Sequence, residues 1–252
     1  MSTFQPRFRA AVLAGLGGLG LFALWQIIGT RGWVGPTLPP MTDVFAYLLS
    51  PGRREVLADA ALATFGTAGI GYLVGCAVGI LAAVISYAAP VLRPGLDRLA
   101  SLLNAIPQIA IAPVFIVFFA GTGTGVALSG LGTYFVIYIG ATVGLAASSS
   151  THSDLFRSFG ASKAATFLRL DILVSLPTIV SSMRQAVPIA LVGSILGEWF
   201  GANRGLGLLM VTAMKNFNIP LLWSAVLITM AGSGICFAVL GLVERTVYAR
   251  YR

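Results

Sequence analysis

The chain has 252 residues, 57% of them hydrophobic and only 10% charged, with a formal net charge of +8 and a mean hydropathy of +0.91. A soluble domain is nearer a quarter charged. This chain has too little polar surface for a water-facing shell, so composition excludes an ordinary soluble globular protein, and the 30 glycines suit closely packed transmembrane helices.

The first apolar run, "RAAVLAGLGGLGLFALWQIIGT", is about 20 residues long, enough to cross a bilayer and longer than a signal-peptide core. It reads as a retained span over 10–29. The next stretch, "TRGWVGPTLPPMTDVFAYLLSPGRREVLADA", is broken by Gly and Pro, and its "DVFAYLLS" reads as a short interfacial helix. Further spans are predicted over 60–86, 99–120, 126–147, 178–199 and 219–242. "GTGTG" at 121–125 lacks the Lys-Ser/Thr of a phosphate loop and reads as a turn between spans. Pro107, Pro113 and Pro188 are expected to kink their spans, and Phe115, Phe118 and Phe119 either narrow a path or simply pack.

Basic residues set the orientation. With both termini inside, Arg7, Arg9, Arg93, Arg98, Arg157, Lys163, Arg169, Arg245, Arg250 and Arg252 are cytoplasmic, against Arg31, Arg53, Arg54, Arg204 and Lys215 outside. The excess predicts N-in, C-in. The fold class is therefore all-α: a polytopic membrane protein of about six transmembrane helices. Residues 1–59 hold the first span and an external interfacial segment. Residues 60–245 hold a five-span core with one long cytoplasmic loop at 148–177, and 246–252 form a basic tail.

The chain carries no P-loop, HExxH or CxxC. His152 reads as a solvated loop residue, and Cys76 and Cys236 as small hydrophobes. No catalysis, metal site, bound cofactor or nucleic-acid contact is expected of this chain itself. Its basic residues serve topology.

The most polar stretch is "SDLFRSFGASKAATFLRLDILVSLPTIV", 153–180. Ser153 is placed as an N-cap and Asp154 in the first turn. Leu155, Phe156 and Phe159 fall at helical spacing on one face. Gly160 permits a bend, "ASKAATFLRL" resumes helix, and Pro177 is expected to end it before the fifth span. The plain alternative is a solvated connecting loop.

An acid, a glycine six residues on and a Leu-Pro after it resemble the EAA loop of inner-membrane permease subunits of bacterial ABC importers. "DLF" at 154–156 stands for the acid-Ala-Ala triplet, "GAS" at 160–162 holds the glycine, and Leu176-Pro177 match the end. Asp replaces Glu, and Leu155-Phe156 replace the two alanines. "LLNAIPQIAIAPVFIVFFAGTG", 102–123, and "GEWFGANRGLGLLM", 197–210, resemble segments of the sulfonate, taurine and nitrate branch. The likeness covers most of 60–245.

The resemblance implies a mechanism. Two permease subunits, identical or paralogous, line a path. Each seats a cytoplasmic coupling helix in an ATP-binding subunit, which holds the ATP and Mg. A periplasmic or lipid-anchored binding protein delivers the solute, and alternating access moves it across the bacterial inner membrane. Asp154, Leu155, Phe156, Phe159, Gly160, Ala161 and Pro177 are then the coupling residues.

Asn104, Gln108, Arg184 and Glu198 are the candidate path residues. Asn104 and Gln108, four apart on one predicted helix, bind either a polar solute or a neighbouring helix. Arg184 snorkels, pairs with an acid or attracts an anion. Glu198 lines the path, braces an outer gate or accepts from the backbone of "GANRGLG". The expected solute is a small organic anion such as a sulfonate or taurine, with nitrate or a pyrimidine-type vitamin precursor as alternatives. An ion-gradient carrier is a competing reading, which predicts paired acids or broken helices at mid-membrane; a scaffold without transport is another.

Overall fold

The computed structural model describes residues 4–148 and 150–251. In chain order the helices are α1 (Phe4–Arg31), α2 (Met41–Leu49), α3 (Pro51–Ala88), α4 (Arg93–Ala105), α5 (Gln108–Phe118), α6 (Thr122–Leu145), α7 (Ser150–Ser158), α8 (Lys163–Thr166), α9 (Ile172–Gly201), α10 (Leu206–Lys215) and α11 (Ile219–Tyr251). A 3₁₀ turn covers Gly35–Thr37, and a π turn, Phe167–Asp171, joins α8 to α9 as one continuous helix, Lys163–Gly201. Helices are what lipid demands, because each satisfies its own backbone groups where no water can.

Four helices among the described residues are long and apolar enough to cross a membrane: Pro51–Ala88, Thr122–Leu145, Lys163–Gly201 and Ile219–Arg250. α1, 28 residues long, covers the first predicted span. The third predicted span is not one helix. α4 and α5 meet at a 98° bend, at Ile106-Pro107. A proline disfavours helix at the residue before it, and Ile106 is accordingly extended, with ψ 120°. Pro177, expected to stop a helix, lies inside Lys163–Gly201. "GTGTG" is only partly a turn: Gly121 takes φ +63°, and Thr122 already begins α6. The apolar α10 was not foreseen, nor was the continuation of the last helix to Tyr251. Arg252 lies outside the described residues.

The chain divides into two compact units. The first comprises Met1–Asp59 and Leu209–Leu227. In it Trp25 donates to the Pro39 carbonyl at 3.0 Å and packs edge-on against Trp223, whose indole donates to the Thr37 carbonyl at 2.9 Å. These bonds tie the Gly/Pro segment down, and α2 stands where the short interfacial helix was expected.

The second unit comprises Ala60–Leu208 and Ile228–Arg252. Its centre is α6, packed between α3 and α9. Backbones approach so closely that side chains are excluded. A Cβ on Gly75 would lie 2.6 Å from the Gly130 carbonyl oxygen, and one on Gly79 2.9 Å from Ile137 Cβ; Gly71 is equally tight against Ser129. On the other face a Cβ on Gly193 would lie 2.5 Å from the Ser129 nitrogen, and Gly125 and Gly197 abut each other. Glycines at i, i+4 and i+8 of α3 share one face. Dispersion and weak Cα–H···O contacts, rather than water exclusion, hold such helices together in lipid. Ser129 adds a bond to the Ala190 carbonyl at 2.6 Å.

Burial runs opposite to that of a soluble protein. Leu62, Leu73 and Leu81 of α3 are 75%, 66% and 60% exposed, while Thr64 is fully buried, so the apolar face is the outer one. We predict that Gly71→Leu destabilises the fold by about 1–3 kcal/mol through overpacking. Gly69→Leu, on an open face of the same helix, leaves it unchanged. Thermal unfolding in detergent compares the two.

Candidate functional site: the α7–α8 elbow and the buried charges

The polar stretch forms a locked elbow. α7 begins at Ser150, so Ser153 is inside the helix and does not cap it, and Asp154 lies beyond the first turn. The Ser153 side chain is outside the described residues. Asp154 pairs with Arg157 at 3.8 Å, both side chains 72% exposed. An exposed pair of this kind adds little stability.

α7 ends in a Schellman turn. The Gly160 N–H donates to the Arg157 carbonyl at 2.9 Å and the Ala161 N–H to the Phe156 carbonyl at 3.0 Å. Gly160 takes φ +75°, the left-handed conformation that this turn requires. Two residues later Ser162 opens α8, its hydroxyl accepting from the Ala165 N–H at 3.2 Å. This second cap was not expected from the sequence, although a serine just before a resumed helix is itself the signal. Glycine stop and serine start lie within three residues, so the bend is short and defined on both sides.

The elbow presents apolar surface. Leu155 is 51% and Phe159 81% exposed, four apart on one helix face, while Phe156 and Ala161 are half-buried. Pro177 is well inside the following helix and takes no part in the bend. Behind the elbow, the Tyr87 hydroxyl donates to Asp171 Oδ2, and Asp171 is 1% exposed. Nearby, Tyr138 of α6 donates to Asp97 Oδ1 of α4 at 2.6 Å. The sequence reading missed both tyrosine–aspartate bonds, because each joins residues distant in the chain.

The four candidate path residues are not brought together; no hydrogen bond or ion pair among the described residues links any two of them. Asn104 is exposed near the end of α4, and Gln108 begins α5, so the 98° bend separates what was expected to share one face. Gln108 Nε2 lies 2.6 Å from where a Gly132 Cβ would be, against α6.

Arg184 pairs with Glu244 at 2.7 Å, its guanidinium 4.0 Å over the Phe237 ring. The expected sixth span stopped just short of Glu244, which hid this partner. Glu198 is 3% exposed and caged. It accepts the Gly207 N–H at 2.7 Å and the Thr64 hydroxyl at 3.0 Å, with Ser194 Oγ 3.4 Å away. Thr64 in turn accepts the Leu206 N–H at 2.8 Å. The carboxylate thus caps the start of α10, where free N–H groups and the helix dipole favour a negative charge. Gly205 and Gly207 leave room for it; a Cβ on Gly207 would lie 2.9 Å from Oε2. The "GLG" of the sequence is the mould of this cage.

We predict that Glu198→Ala, which strands the Gly207 N–H and the Thr64 hydroxyl in a buried site, lowers stability by about 1–3 kcal/mol. Glu198→Gln, which keeps an acceptor, is expected to lose less in the same thermal unfolding measurement.

Comparison with known proteins places this geometry. Residues 75–249 match the model of the family described as binding-protein-dependent transport system inner membrane component. The chain is 31% identical over 183 residues to the formylaminopyrimidine transport permease protein ThiX of Halalkalibacterium halodurans, covering 72% of this chain and 73% of that one. It is 24% identical to the putative aliphatic sulfonates transport permease protein SsuC of Bacillus subtilis, covering 89% and 82%. The fold matches a chain of the MetNI methionine ABC transporter with a TM-score of 0.72 at 15% identity, over 79% of this chain and 99% of that one. The chain belongs to the family of inner-membrane components of binding-protein-dependent transport systems, the multi-pass permease subunits of bacterial ABC importers.

Proposed function

We propose that this permease is one of two that together form a solute path by alternating access, and that the α7–α8 elbow is the handle through which an ATP-binding subunit moves it. The observation that carries this reading is the exposed pair Leu155 and Phe159 on a helix fixed at its end by the Gly160 turn. Exposed apolar side chains beside charged ones form a docking face, and the rigid elbow passes its displacement into the continuous Lys163–Gly201 helix. ATP and Mg are held by the partner, and a binding protein outside supplies the solute. Family membership removes the ion-gradient carrier from consideration.

Two solute classes follow from the relatives: an aliphatic sulfonate or taurine, and a formylated aminopyrimidine. We favour the pyrimidine. An anion crossing the bilayer interior is served by an unneutralised cation in its path, and Arg184 is paired with Glu244. The relative named for a pyrimidine is also the more similar of the two reported above.

Two tests separate coupling from solute. Gly160→Pro cannot adopt φ near +75°, so it is expected to abolish co-purification of the ATP-binding subunit while the permease still folds. Undiminished co-purification contradicts the handle. In cells expressing the complete system, ATP-dependent uptake of formylaminopyrimidine is expected to exceed that of taurine. The reverse order restores the sulfonate assignment and leaves the handle untouched.

A further inference from the structure

We propose that the cavity between the end of α3 and the α7–α8 elbow is a binding site for the headgroup of an anionic phospholipid. The cavity has a volume of about 580 Å³ and is lined in part by Val84, Tyr87, Pro90, Arg157, Lys163 and Phe167. It lies at the shared end of two helices long and apolar enough to cross a membrane: α3 ends at Ala88, and the Lys163–Gly201 helix begins at Lys163.

The chemistry of the lining matches an amphiphilic anion. Lys163 makes no ion pair among the described residues. Arg157 has only Asp154, at 3.8 Å with both side chains 72% exposed, so its guanidinium is free to take a better acceptor. Among the described residues two other acids stand on this side, and both are engaged: Asp171, 1% exposed, receives the Tyr87 hydroxyl, and Asp97 receives the Tyr138 hydroxyl and lies 3.7 Å from Arg93. The wall itself is apolar. Tyr87 and Phe167 pack with ring centroids 5.1 Å apart, beside Val84 and Pro90. A phosphate bridged by Arg157 and Lys163, with its glycerol and first methylenes along Val84 and Phe167, uses both halves of the cavity. A small hydrated anion uses only the rim. Basic pockets between helix ends on the cytoplasmic side are where anionic headgroups bind. Leu155 and Phe159 do not line it, although Ala161 of the same elbow does.

The test is native mass spectrometry of the detergent-solubilised full chain, titrated with short-chain phosphatidylglycerol, short-chain phosphatidylcholine and inorganic phosphate. Phosphatidylglycerol is expected to bind in preference to phosphatidylcholine. The double variant Arg157→Gln/Lys163→Gln is expected to weaken it roughly thirtyfold, from the two lost cations, without changing phosphatidylcholine binding. Arg98→Gln, a cation outside the cavity, is expected to change neither. Val84→Trp, which fills the cavity and keeps both cations, is expected to remove the preference and serves if the double variant misfolds. Equal binding of the two lipids, or undiminished binding in both cavity variants, overturns the proposal. So does competition by inorganic phosphate at matching concentration, which marks a free-anion site. Expulsion of the lipid on adding the ATP-binding subunit also overturns it, since the cavity then belongs to that partner.

Discussion

Everything in the core depends on how closely α6 can be approached. Its two neighbours press against it at distances that only hydrogen can occupy: Gly71, Gly75 and Gly79 from α3, Gly193 and Gly197 from α9. A bilayer gives no reward for burying one leucine against another rather than against a lipid tail, so large apolar side chains are spent on the outer surface. The interior is built instead from small and hydroxyl residues, which convert close approach into dispersion and hydrogen bonds to backbone, as Ser129 does with Ala190.

The charged groups inside the bundle follow the same economy. Each is matched locally rather than left facing a path: Glu198 by two N–H and O–H donors, Arg184 by Glu244. Taking an ion out of water is costly unless its partners are in place. Glu198 links α3, α9 and the start of α10 through a single carboxylate, so it organises structure that the glycines alone leave open. The elbow at Gly160 is the complementary case. There the backbone, not a charge, is fixed, and the side chains Leu155 and Phe159 are left uncovered.

Much of this was legible in residue order. Apolar run lengths located the long helices, and composition alone made the protein a membrane one. The bend at Gly160 followed from glycine between two helical patterns. What failed has physical causes. Asn104 and Gln108 have helical spacing, but Pro107 between them, expected only to kink the span, turns the chain by 98° and ends the helix. Pro177 looked like a stop because proline is a common helix boundary, whereas this one sits inside a continuous helix. The partners of Arg184, Glu198 and Asp171 come from elements distant in the chain, and spacing arguments reach only neighbouring turns. Ser153 does not cap the first helix because that helix already starts at Ser150, and the separate cap at Ser162 depends on the chain's path past Gly160.

The central claim is that the exposed face of α7 is the seat of the ATP-binding subunit. The most direct measurement replaces Phe159 with a photoreactive phenylalanine analogue in the assembled transporter and identifies what it captures on illumination. The account predicts a covalent adduct with the ATP-binding subunit from position 159 and none from Val117, an exposed residue of α5 remote from the elbow in sequence. Capture of lipid or detergent alone at position 159, with the ATP-binding subunit present and hydrolysing, contradicts it.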